Sequence, residues 1–108
     1  MKVYTFLTDG FETVEALAVI DILRRAGIEV ETVSITGNEQ VCSAQNITVK
    51  ADTLFKAQPV CKEDVLFLPG GPGHKQYNEC KPLLKLLEKH HAEGGRIAAI
   101  CAAPSILG

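Results

Sequence analysis

Ile97, Ala98, Ala99 and Ile100 form an unbroken apolar run, preceded by the breaker Gly94-Gly95 and followed at once by Cys101. A run without alternation predicts a strand covered on both faces, as in a parallel sheet. Pro104 fixes φ and lacks an N–H, which suits the first turn of a helix. The chain is therefore expected to pass abruptly from buried strand to helix at Cys101, with the small Ala102 and Ala103 allowing a tight elbow. The serine of a G-x-S-x-G elbow is placed by the same logic. A thiol facing helix N–H groups is favoured as the thiolate and is reactive. A buried cysteine packed as a small hydrophobe fits these residues equally well, so both readings stand at this point.

The remaining pattern is that of strands alternating with helices. Residues 2–7 read as a strand, Thr8 to Glu12 as a turn-rich loop, and 13–26 as a helix stopped by Gly27. Between Val14 and Leu23 only Glu15 and Asp21 are not apolar. Such a helix is buried on more than one side, against a sheet on one and another element or a second subunit on the other. Residues 28–35 read as a strand with one more exposed face, and 41–43 with 47–50 as a small antiparallel excursion. The stretch 54–62, broken by Pro59, reads as irregular or a single helical turn. Residues 65–69 form a third buried strand. A helix follows over 82–92, with Leu83, Leu84, Leu86 and Leu87 facing inward and lysines outward. This order predicts one domain with an open parallel α/β sheet and right-handed crossovers.

Composition narrows the function. The 108 residues are 46% hydrophobic and 22% charged, with a formal net charge of −2, which gives no electrostatic case for nucleic acid or an acidic membrane. No apolar run approaches the ~20 residues needed to cross a bilayer. Met1-Lys2 leads straight into the first strand with no export signal, so a cytoplasmic location with reduced thiols is expected. The cysteines at 42, 61, 80 and 101 form no C-x-x-C pair, and no histidine stands at a zinc-ligand offset, so no metal is expected. Cys42, Cys61 and Cys80 read as structural.

Two further features bear on chemistry. Gly70-Gly71-Pro72-Gly73 follows a strand but matches neither G-x-G-x-x-G nor a G-K-[ST] loop. It reads either as a tight turn or as bare backbone N–H groups at the carboxyl end of a sheet, where with the N–H after Cys101 they would make an oxyanion hole. Glu15 reads either as a first-turn acid complementing the helix dipole or as a carboxyl held protonated by apolar surroundings and donating to a thiolate.

Asp9-Gly10-Phe11-Glu12-Thr13-Val14-Glu15, Arg24-Arg25-Ala26-Gly27-Ile28, Leu68-Pro69-Gly70-Gly71 and Ala98-Ala99-Ile100-Cys101-Ala102-Ala103-Pro104 together resemble the ThiJ/PfpI superfamily, in its Parkinson-disease-associated deglycase branch and bacterial relatives. The resemblance implies a flavodoxin-like three-layer α/β sandwich, related to class I glutamine amidotransferases, with residues 1–108 as its N-terminal portion. It implies a complementing C-terminal segment and a homodimer formed partly through the 13–26 helix. It implies Cys101 as nucleophile, Glu15 as its hydrogen-bond partner, and the backbone of Gly71 and Ala102 as the oxyanion site, with no cofactor. The implied activity is that of a glyoxalase or deglycase on small aldehydes or glycated groups. A redox-sensing stress protein or chaperone using the same cysteine, oxidisable to a sulfinate, is the alternative. The protease-like branch carries His directly after the cysteine; Ala102 stands there instead and disfavours a peptidase. His74, His90 and His91 all precede Cys101, and none matches the family's base.

Overall fold

The computed structural model describes residues 1–56, 60–70, 77 and 79–99. Its main sheet holds five parallel strands: β1 (Lys2–Leu7), β2 (Glu29–Ser34), β5 (Thr53–Leu54), β6 (Val65–Leu68) and β7 (Arg96–Ala99), in the spatial order β5-β2-β1-β6-β7. A separate antiparallel hairpin pairs β3 (Gln40–Cys42) with β4 (Thr48–Lys50). Helix α1 (Thr13–Arg25) covers one face of the sheet and α2 (Lys81–Ala92) the other.

The two faces follow from the period-2 alternation of β1. Tyr4 and Phe6 join Leu66, Leu68 and Val33 in a core closed by Leu83 and Leu87 of α2. Val3 packs with Val30, Phe67 and Ile20 of α1, while Leu7 packs with Phe11, Ala16 and Val41. Burial on both sides explains the near-continuous apolar runs of β1 and β6. Both helices stop by the same device. Gly27, at φ 81°, lets the N–H groups of Gly27 and Ile28 turn back to the carbonyls of Arg24 and Leu23, and Gly94 and Gly95 do the same for His91 and His90.

One expectation needs correction. The stretch expected to be irregular from residue 54 begins with a strand: Thr53 and Leu54 pair with Val33 and Ser34. The preceding Asp52 organises it. Its Oδ2 accepts from the Thr32 N–H (2.9 Å) and from Arg24 (2.9 Å), and its own N–H donates to Thr32 Oγ1 (2.8 Å). Among the described residues, β7 is covered on one face. Ile97 packs against the α2-side core while Ala98 is exposed; β7 is the terminal strand of the described sheet, and α1 packs on β2, β1 and β6. Residue 100 and the elbow after it lie outside the described residues.

Candidate active site

Counting only the strands of the main sheet, their spatial order is third, second, first, fourth, fifth. Chain direction therefore switches sides between β1 and β6, and open α/β sheets bind ligands outside the carboxyl ends of the strands at such a point. Three groups converge there. The N–H of Glu12, at the head of α1, donates to Gly70 O just beyond β6 (2.8 Å). The hydroxyl of Tyr77 lies 3.0 Å from both Phe6 O and Pro69 O. Glu15 sits in the first turn of α1, half-buried, with Oε1 wholly withdrawn from solvent.

The head of α1 is held by the hairpin rather than by its own N-cap side chain. Glu12 makes no side-chain cap; instead Gln45 Oε1 accepts from the Thr13 N–H (3.1 Å) and hydroxyl (2.7 Å), and Gln45 Nε2 donates to Glu12 (3.1 Å). The Ala44 N–H donates to Phe11 O (2.8 Å) and the Gly10 N–H to Cys42 O (2.8 Å). One orphan donor of the helix terminus is thus satisfied from a hairpin more than 30 residues away. The clamp fixes the turn that carries Glu15.

β6 and β7 end level, with Leu68 paired to Ala99. The stretches leading to Gly71 and to Cys101 therefore leave the sheet from adjacent strands. Gly71, Cys101 and Ala102, and with them His74, lie outside the described residues. Of the four sequence-predicted site residues, only Glu15 lies among the described residues, in the first turn of α1.

The other candidate groups lie elsewhere. His90 is buried, 3% exposed, and its Nε2 is 2.9 Å from Asp64 O, which precedes the amino end of β6. It packs against Gly95 so closely that a Cβ there would collide with the imidazole. That is the opposite end of the sheet from the switch point, so His90 is a structural residue. His91 is exposed. Cys42 is half-buried in the hairpin beside Asn46 (3.5 Å), Cys80 half-buried before α2, and Cys61 exposed. Among the described residues no cluster of His, Cys, Asp or Glu is arranged to hold a metal ion, and no helix is long and apolar enough to cross a membrane.

Sequence reasoning missed Tyr77 and Gln45. Neither belongs to a local motif; each acts through a contact with chain far away in sequence.

A parallel sheet wrapped by helices on both faces, with its strand order reversing between β1 and β6, defines a doubly wound α/β protein. The chain belongs to the DJ-1/PfpI family, whose model matches residues 1–108. It is 38% identical over 106 residues to Protein DJ-1 homolog B of Arabidopsis thaliana, covering 97% of this chain and 24% of that protein. It is 32% identical over 96 residues to the glutathione-independent glyoxalase DJR-1.2 of Caenorhabditis elegans, covering 89% of this chain and 51% of that one. The solved structure of oxidized Toxoplasma gondii DJ-1 superposes with a TM-score of 0.90 at 37% identity, covering 97% of this chain and 58% of that chain. The chain spans less than two thirds of each relative's own length.

Proposed function

We propose that the protein is a cofactor-free, thiol-dependent enzyme acting on small aldehydes, of the glyoxalase or deglycase type. The observation that carries this is the Glu15 carboxyl, one oxygen buried, in the first turn of α1, the helix whose head is tied to Gly70 through the Glu12 N–H. The strand leading to Cys101 ends level with its neighbour at the carboxyl edge. The name of the nematode relative supports the substrate class. In this reading the Cys101 thiolate attacks the aldehyde carbon. The S–C bond forms and the carbonyl π pair moves to oxygen, giving a hemithioacetal. The N–H groups of Gly71 and Ala102 hold the developing oxyanion, and Glu15 supplies and removes the protons.

The test is glutathione-free conversion of methylglyoxal by the full-length protein and its Cys101→Ala variant. Turnover by the wild type that falls to background in the variant is expected. Equal rates in the two would overturn the assignment of Cys101.

A second reading, redox sensing through Cys101, is favoured by the description of the Toxoplasma relative as oxidized. In it, peroxide converts the thiol stepwise to a sulfinate, with Glu15 as hydrogen-bond partner. Peroxide titration followed by intact mass distinguishes it: a protein that gains two oxygens at Cys101 but turns over no aldehyde is a sensor.

A homodimer also belongs to this proposal. Val14 and Ile22 of α1 are 69% and 65% exposed, and with exposed Ala18 they form an apolar stripe at i, i+4 and i+8 on the helix face turned from the sheet.

A further inference from the structure

We propose that Tyr77 is a positioning residue that, with the backbone N–H of Glu12, aims the peptide following Gly70 at the substrate oxygen. The proposal rests on the oxyanion site of the preceding section.

The β1–β6 ladder ends at the Thr5–Phe67 pair. Pro69, lacking an N–H, cannot donate back to β1. At that point the Tyr77 hydroxyl takes over. It is fully buried, comes from 71 residues along the chain, and reaches both Phe6 O and Pro69 O at 3.0 Å. A single phenolic proton thus ties together the two strands that part at the switch point. Burial pushes this phenol above its usual range, so it remains a donor throughout the physiological range.

The second tie acts one peptide further on. Glu12 N–H holds Gly70 O at 2.8 Å. A trans peptide is planar and points its N–H opposite its C=O. The proposed donor, Gly71 N–H, shares its peptide with Gly70 C=O. Whatever holds that carbonyl therefore also sets the direction of the donor. Tyr77 holds the Pro69 carbonyl and Glu12 the Gly70 carbonyl, so two consecutive carbonyls are fixed before substrate arrives. Oxyanion donors are effective because they are aimed in advance. A phenylalanine at 77 would serve the apolar core equally well; the hydroxyl is needed only for the two carbonyls.

The experiment uses the full-length protein with Tyr77→Phe and, separately, Glu12→Pro. The second variant deletes the other tie at a residue whose φ of −76° already suits proline. Each is expected to lower kcat for methylglyoxal roughly 10-fold to 100-fold with KM within about twofold. Amide exchange at Gly70 and Gly71 should quicken, while the Cys101 alkylation rate is kept. A lowered Tm with kcat unchanged in Tyr77→Phe would make the hydroxyl merely structural and overturn the proposal. Should that variant fail to fold, unchanged kcat in Glu12→Pro overturns it instead. If the wild type turns over no aldehyde, the functional reading falls by itself. The brace is then judged on exchange: faster exchange at Gly70 and Gly71 in the variants upholds it, and wild-type protection there sinks it.

Discussion

Thr5, in the centre of β1, is fully buried, and its Oγ1 has no hydrogen-bond partner among the described residues. A buried polar group left unpaired costs about 1–3 kcal/mol, and valine has nearly the same shape. Thr5→Val is therefore expected to stabilise the protein by about 1 kcal/mol, read as a higher urea midpoint at unchanged slope; a lower midpoint would show that the hydroxyl has a use. The titrating groups make a second prediction. Burial raises the phenols of Tyr77 and Tyr4, and the hydrogen bond from Lys2 to Glu31 (2.9 Å) raises the Lys2 ammonium. In each case the unfolded chain releases its proton first. Stability from these groups is thus fully present below about pH 10 and lost as pH rises beyond it. Denaturation titrations from pH 8 to 12 should show that fall, and Tyr77→Phe should flatten it. A fall no shallower in the variant would mean Tyr77 does not titrate in this way. Candidate site residues with local signatures were legible in the sequence: Glu15 stands out because its neighbours on the helix are apolar. Tyr77 was not legible, since its meaning lies in the carbonyls of Phe6, 71 residues away, and of Pro69 just beyond β6.

At the scale of elements, buried strands and helix ends could be read directly. Near-continuous apolar runs mark β1 and β6, and Gly27 and Gly94 mark the helix stops. The two-residue strand β5 escaped because its side chains carry no periodic pattern; Asp52, bonded to Thr32 and Arg24, makes it a strand. The clamp of Gln45 on α1 escaped for the same reason. The apolarity of α1 was legible, and its inner positions Ala16 and Ile20 are buried as a sheet-facing side requires. Its outer stripe is the basis for the proposed dimer. Ile22→Glu places a charge in that stripe without touching the sheet-facing side. Sedimentation of the full-length protein should shift from dimer to monomer in the variant, with the circular dichroism spectrum unchanged. A variant that sediments like the wild type would remove α1 from the interface.

For the whole molecule, β7 is the terminal strand of the described sheet, with Ala98 exposed on one face. Relatives extend well beyond the matched region, the chain covering 58% of the Toxoplasma structure. We propose that in the full protein a further segment of the same domain pairs with and covers this edge, as bare apolar edges otherwise invite aggregation. The central claim concerns the end of β7, where chemistry is assigned to one thiol among four. It is tested most directly by alkylating the folded full-length protein with iodoacetamide from pH 5 to 9 and following each cysteine by mass spectrometry. Cys101 is expected to react fastest near neutral pH, with a profile displaced below that of an ordinary thiol near 8.5. Faster reaction at Cys42, Cys61 or Cys80, or an ordinary profile at Cys101, would contradict the account.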